Sequence, residues 1–494
     1  MTTLAADLLT SHPPAVRVPS YDRSRVQVGI VHFGVGGFHR AHQAVYVDEL
    51  MNHGEALDWG ICGVGVMPSD AAMAAALTPQ DGLYTMVIKR SDGHLEPRII
   101  GSIVKLIYAP ESPEAVLDVL SAEQTRIVSL TITEGGYNVN QATHEFIRDD
   151  PAIVADLASD AVPTTVFGYI TEALQRRRRN GVPPFTIVSC DNIQSNGHVA
   201  RRSFTAFAEL KDPDLASWIR QHVRFPNSMV DRITPVTTAA DRIQLHELFG
   251  IEDNWPVVCE PFTQWVLEDS FSLGRPPLED VGVQLVPDVE PFELMKLRLL
   301  NAGHQAIAYF GYLLGHRYVH EAATDSRLVA YLRAYMDLEA TPTLLPVPGV
   351  DLDAYKQELI ERFANPEIRD TVARLCAEST DRIPKWVVPV IRHNLATGGP
   401  ISYATAIVAS WARYAEGVDE QGNPIEIVDR LAASVTAGAR RHASDPLALV
   451  EMTELFGDLA GNGRFRDEYL RISASIHDLG VERTLDDLNG HPDR

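Results

Sequence analysis

A short β-rich run, Val26 to Phe33, passes directly into Gly34-Val35-Gly36-Gly37-Phe38-His39-Arg40 and then into a helical pattern from Ala41 to Met51. Strand, glycine turn and helix, in that order, form the context a dinucleotide site requires. Gly34 permits the tight turn and Gly36 lets backbone amides approach a pyrophosphate. The helix start, with Gly37, Phe38 and Arg40, offers its partial positive charge. His39 stands where the fingerprint expects a third glycine, so a simple glycine turn stays open as the alternative.

A second strand is predicted over Trp59 to Met67, with Asp70 just past it. An acid there would accept hydrogen bonds from ribose hydroxyls and repel a 2′-phosphate, which favours NAD over NADP. Asp70 follows Gly34 by 36 residues rather than about 20, so the first crossover must be enlarged; a plain loop aspartate is the other reading. Further β-type runs are predicted at Leu83–Ile88, Arg98–Val104, Arg126–Ile132 and Phe185–Cys190, the last ending in Asp191-Asn192. Strand ends are where open α/β sheets place ligands, so Asn192 is either a site residue or part of a turn. In Met229-Val230-Asp231-Arg232, a charged pair inside an apolar segment reads as a structural ion pair or as a site.

Beyond about residue 286 the β signal stops. Asp351–Ala364, Glu367–Ala377, Ser402–Glu416 and Asp445–Leu459 carry apolar residues on helical period. The predicted fold class is therefore α/β, with a Rossmann-type N-terminal domain over 1–286 that binds the nucleotide. A mostly α-helical substrate-binding and catalytic domain follows over 287–494, and the active site is expected in the cleft between them.

Composition narrows the function. At 494 residues with 45% hydrophobic and 22% charged residues, the chain is a soluble globular protein too long for one core. A net charge of −23 argues against nucleic-acid or anionic-membrane surfaces. The run Arg176-Arg177-Arg178-Arg179 reads as a solvated helix end. The start, Met1 to Asp7, lacks signal-peptide blocks and no apolar run would span a bilayer, which points to the cytoplasm. Cys62, Cys190, Cys259 and Cys376 show no C-x-x-C pairing, so neither zinc nor a disulfide framework is suggested.

Only six of the 43 basic residues are lysines. One of them, Lys296, lies in the apolar stretch Met295 to Gln305 with Asn301 and His304. At about 100° per residue, Asn301 and His304 sit roughly 60° apart and Lys296 and His304 roughly 80° apart on an ideal helix. Lys296 and Asn301 come out roughly 140° apart, so Asn301 is expected to meet a substrate from a different side unless the first turn is irregular. Removing a hydride from a secondary alcohol needs a base for the hydroxyl proton and donors for the oxyanion. Lys296 can be that base if burial lowers its pKa from about 10.4, with Asn301, Asn192 and His304 as fixed donors. The competing readings are a snorkelling or Glu293-paired lysine and a satisfied core histidine.

The joint set Gly34-Val35-Gly36-Gly37-Phe38-His39-Arg40-Ala41-His42, Thr133-Glu134-Gly135-Gly136-Tyr137, Ser189-Cys190-Asp191-Asn192, Phe225-Pro226-Asn227 with Met229 to Pro235, and Lys296-x4-Asn301-x2-His304 resembles the polyol-specific long-chain dehydrogenase/reductase family from about Gly29 to Gly480. The resemblance implies metal-independent, nicotinamide-dependent interconversion of D-mannitol and D-fructose, with Lys296 as acid–base and Asn192 and Asn301 as oxyanion donors. It further implies Asp231, His304 and Arg374 as substrate contacts, Glu134 and Glu293 as a proton relay, and Asp70 as the NAD-selecting acid. Ser69 stands where many relatives carry a second acid, which bears on how firmly NADP is excluded. Arabinitol dehydrogenases and hexuronate (fructuronate) reductases share the lysine helix, and a non-catalytic nucleotide sensor would have no use for it. The expected partner is a small polyol or ketose, with no nucleic acid or membrane, on a monomer or small homo-oligomer.

Overall fold

The computed structural model describes residues 2–5, 9, 13–140, 145–158 and 161–490; Met1, Ala6 and Asp7 of the N-terminal stretch read above lie outside them. The chain forms two compact units, one ending at Val289 and one beginning at Glu290.

The first unit is built on a parallel sheet of five strands: β1 (Val28–Phe33), β2 (Gly60–Gly65), β3 (Ile103–Tyr108), β4 (Ile127–Leu130) and β5 (Thr186–Ser189), in the order β3-β2-β1-β4-β5. Alternation sends Val31, Phe33, Val128 and Leu130 to one face, where they pack with residues such as Val116, Ile170 and Phe204. Ile30, Ile61, Ile127 and Val188 go to the other, against Leu50, Trp59 and Trp265. Both faces are covered, which is why the strands read as continuous apolar runs. The strand order reverses between β1 and β4, so the turns after Phe33 and Leu130 open the crevice at which such sheets take ligands.

Two three-stranded sheets and a two-stranded pairing of Thr2–Thr3 with Ile251–Glu252 accompany it. Tyr84–Lys89 joins Leu95–Ile100 and Val257–Cys259, and Gln264–Glu268 joins Ser228–Asp231 and Gln284–Val286. The single run expected over Arg98–Val104 is instead two strands divided at Gly101-Ser102. Asp48 claims the Gly101 amide at 2.9 Å and the Ala44 carbonyl takes the Ser102 hydroxyl at 2.7 Å, which turns the chain there.

Two more expectations are corrected here. The helix expected from Ala41 is two pieces, Gly37–Ala41 and Gln43–Asn52, broken at His42, whose ring is drawn inward to the Gln264 carbonyl at 2.8 Å. The arginine run does end the helix Val166–Arg179, but Arg177 is fully buried rather than solvated. It donates to the carbonyls of Pro183, Leu120 and Ala122.

The second unit is helical, and no strand lies beyond Val286 among the described residues. Leu352–Phe363, capped by Asp351, and Ser402–Ala415 match the sequence reading. The helix expected over Glu367–Ala377 shrinks to Val372–Cys376, because Asn365 turns the chain onto the Glu367 amide and Arg369 takes a φ of +50°. Over Asp445–Leu459 only Thr453–Phe456 is helical, ended by Gly457 at φ +59°. All four cysteines are free and buried, and no helix among the described residues is long and apolar enough to cross a membrane.

Candidate active site

The first unit places the glycine turn beside a cavity of about 550 Å³, lined by Gly34, Gly36, Gly37, Phe38, Arg40, Ser69 and Asp70. Gly34 has φ +92°, and a Cβ there would sit 2.1 Å from the Thr131 carbonyl oxygen, so the turn demands glycine. A Cβ on Gly36 would meet only the Gly34 carbonyl at 3.9 Å, leaving its face of the cavity open to a close-approaching ligand. Thr131 closes the crevice between β1 and β4 by donating its hydroxyl to the Gly34 carbonyl at 2.6 Å.

His39, which replaces the third glycine, is buried and stacks on His32 with ring centroids 3.4 Å apart. A flat neutral ring allows the close helix-to-strand approach that glycine otherwise provides; burial holds His39 well below, and His32 down at about 3 from, the ordinary imidazole range. Arg40 is buried, its guanidinium donating to the Trp255 carbonyl at 2.5 Å, so it braces the cavity wall.

Asp70 begins the helix Asp70–Leu77, and its Oδ2 accepts the amides of Val66 and Met67, both at 2.9 Å. That fixes the carboxylate at the cavity rim. The far wall is formed by Thr234, Val236, Arg242 and Trp255, roughly two hundred residues downstream of the glycine turn and outside its local motif. The cavity, its glycine edge and its acidic rim fit a dinucleotide.

Asp191 organises the other strand ends. Its carboxylate accepts the Thr133 amide at 2.7 Å, the Ile132 amide at 3.2 Å and the Tyr137 hydroxyl at 2.7 Å, tying the end of β5 to the turn that carries Glu134. Burial, offset by those bonds, raises its pKa to about 6. Thr133 adopts φ +63°, rare for a β-branched residue, and Asp191 holds it there. Asn192 and Glu134 are both exposed at these ends. Asp231 ends its strand buried, while Arg232 donates to the carbonyls of Glu260 and Ala41.

The second unit opens with the helix Glu290–Met295, and the lysine stretch then departs from the geometry expected of it. Lys296–Asn301 is a π-helical turn, with the Ala302 amide donating to the Leu297 carbonyl five residues back. Where bonds run i→i+5 a turn takes about 4.4 residues, so residues five apart come within roughly 50° of one another instead of about 140°. Lys296 and Asn301 therefore share a face, and the expectation that they meet a substrate from different sides is overturned. Both are buried, as is Glu293 one turn earlier, and Asn301 Nδ2 is a buried donor with no hydrogen-bond partner.

α-Helix resumes at Ala302, and His304 stacks on Phe363 at 4.1 Å. Desolvation first, then the charges of Arg374, Arg362, Arg382 and Lys296, holds its imidazole well below the ordinary range, so it is neutral. Arg374 is chelated by the Asp370 carboxylate, which raises its pKa. A buried network that local sequence did not reveal sets the same helix: Gln305 donates to the Leu375 carbonyl, and Tyr309 bonds Gln305 and Ser379. No group of three or more His, Cys, Asp or Glu side chains among the described residues is arranged to hold a metal ion.

Residues 28–280 match the mannitol dehydrogenase Rossmann domain model and residues 288–473 match the mannitol dehydrogenase C-terminal domain model. The chain belongs to the mannitol dehydrogenase family. A relative in that family, mannitol 2-dehydrogenase of Aspergillus fumigatus, is 46% identical over 477 residues, 95% of each chain. Among solved structures, mannitol 2-dehydrogenase of Pseudomonas fluorescens in ternary complex with NAD and D-mannitol superposes with a TM-score of 0.90. It is 47% identical, with 99% of each chain covered. A D-sorbitol dehydrogenase in substrate-free form has a TM-score of 0.91 at 37% identity, covering 98% of this chain and all of that one. Mannitol dehydrogenase family membership fits both units, the parallel sheet with its glycine turn and the helical unit with its buried lysine.

Proposed function

We propose that this chain is a metal-independent mannitol 2-dehydrogenase interconverting D-mannitol and D-fructose with NAD. The observation that carries the reading is the π turn that sets Lys296 and Asn301 on one face, with a buried, unpartnered amide donor on Asn301. An oxyanion donor must be held ready and unsatisfied before reaction, which is costly unless the chemistry uses it.

In the oxidative direction Lys296, deprotonated, takes the proton from the reacting hydroxyl. Asn301 Nδ2 and Asn192 donate to the oxygen as its negative charge grows, each contributing roughly 2–4 kcal/mol. When bound, the oxidised nicotinamide accepts the hydride released from the carbinol carbon. His304, kept neutral, is a clamp for a substrate hydroxyl rather than the base. Asp231 accepts from a second hydroxyl, and Arg374 donates to a third from the guanidinium edge left by Asp370. Glu293 and Glu134 pass the proton between Lys296 and solvent. In reduction each proton moves the opposite way. Gly34, Gly36, Gly37, Phe38 and Arg40 would hold the cofactor, and Asp70 at the rim would favour NAD by accepting hydrogen bonds from the ribose diol and repelling a 2′-phosphate. Residues 1–286 thus carry the nucleotide and 287–494 the acid–base helix.

The D-sorbitol dehydrogenase likeness supports a second reading, in which D-sorbitol is oxidised by the same machinery. A spectrophotometric panel of D-mannitol, D-sorbitol, D-arabinitol and a hexuronate with NAD and with NADP separates the two. D-Mannitol with NAD is expected to give the highest kcat/KM. No absorbance change with any polyol at alkaline pH would sink the dehydrogenase reading altogether.

A further inference from the structure

Away from the glycine turn, the first unit carries a second cavity of about 490 Å³ whose lining includes Arg148, His198, Arg201, Arg202, Glu209 and Arg220. It shares no lining residue with the cofactor cavity. His198, Arg201, Arg202, Thr205 and Glu209 all come from one helix, Asn196–Lys211, at spacings of three, four, seven and eleven residues from His198, so they form one face. The opposite face of that helix, Ala200, Phe204, Phe207 and Ala208, is buried in the core. Arg220 faces it from the helix Pro213–His222, and Arg148 from the chain before Pro151–Asp156.

The charge arrangement is unusual for this molecule. The chain carries 66 acidic residues, yet Glu209 is the one acid in this lining and it is already paired with Arg220. Arg201 donates to the Arg220 carbonyl at 3.2 Å, and neither Arg148, Arg201 nor Arg202 forms an ion pair among the described residues. Arg148, Arg201, Arg202 and Arg220 set four guanidinium groups around one cavity, and an anion seated among them would offset their mutual repulsion. Arginine forks match phosphate oxygens in pairs, where a lysine offers a point charge. In the same lining Thr205 is 9% exposed and its hydroxyl has no hydrogen-bond partner. The volume falls in the range of small-molecule sites, roughly 300–1,000 Å³.

We propose that this basic cavity binds a phosphate group, free or as the ester of a small molecule, at a site separate from the cofactor's.

Titration calorimetry on the full chain saturated with NAD, at fixed ionic strength, tests this with two probes, inorganic phosphate and D-fructose 6-phosphate. Saturable single-site heat is expected in the wild type and in Arg179→Gln, an exposed arginine elsewhere on the unit. In the Arg201→Gln/Arg202→Gln double variant the affinity should fall at least about tenfold, with an unchanged thermal unfolding curve. Tighter binding of the ester identifies a phosphorylated metabolite as the ligand, and equal binding of both probes identifies the free anion. Should the double variant fail to fold, Arg148→Gln on the opposite wall carries the same expectation. Equal affinity in wild type and variants, or no saturable heat with either probe, would overturn the site.

Discussion

In the proposed mechanism the chemistry falls to Lys296 and Asn301, two side chains that are both buried. Replacing Lys296 with alanine would remove the proposed base while leaving the fold, and turnover should fall by about 10²–10⁴ with an unchanged circular dichroism spectrum; near-normal turnover would move the base elsewhere. Asn301→Ala removes a donor that bonds nothing else through Nδ2, so kcat should drop by about 10²–10³. Asp191 acts differently, by fixing the turn beneath Glu134. Burial raises its carboxyl from 3.8 to about 6, so the folded state binds a proton that the unfolded chain has lost. Its stabilising contribution is complete below pH 3.8 and disappears as pH rises through about 6. Denaturant titrations should show the stability difference between wild type and Asp191→Asn shrinking by up to about 3 kcal/mol across that window. A difference independent of pH would mean that the carboxyl titrates normally.

At the level of elements, the π turn decides whether Lys296 and Asn301 share a face, and it is braced from its own unit. The Tyr335 hydroxyl donates to the Arg298 carbonyl at 3.1 Å from a second π turn, Tyr335–Ala340, while the Arg298 side chain reaches the Thr343 carbonyl. Tyr335→Phe should cost about 1 kcal/mol of stability and lower kcat several-fold while changing KM for the polyol less, because misplacing a reacting pair is felt in the transition state. Unchanged kcat would show that the turn holds without the tyrosine. This element was the least legible from sequence. Apolar spacing announced a helix carrying Lys296, Asn301 and His304, but periodicity assumes i→i+4 bonding, and nothing local in Lys296 to Asn301 signals a widened turn. Four of the five strands of the parallel sheet and the glycine turn were legible, because two-sided burial and the demand for positive φ leave marks on the residues themselves, whereas Ile103–Tyr108 runs together with Leu95–Ile100 across the bend at Gly101-Ser102. Arg177 and the short helix at Val372 were not, since burial of an arginine and the start of a helix there depend on carbonyls and turns supplied by distant chain.

Across the whole molecule, one unit carries a cavity that fits a dinucleotide and the other a buried lysine and an unsatisfied amide, and the proposed mechanism uses that lysine in place of a Lewis acid. Prolonged EDTA treatment should therefore leave the rate of polyol oxidation unchanged; a loss restored by zinc would contradict a lysine-based mechanism. The most direct test of the central claim is the stoichiometry of a single assay in which the purified full chain is given D-mannitol and NAD at alkaline pH. One D-fructose formed for each NADH is the predicted result, and formation of neither product would contradict it.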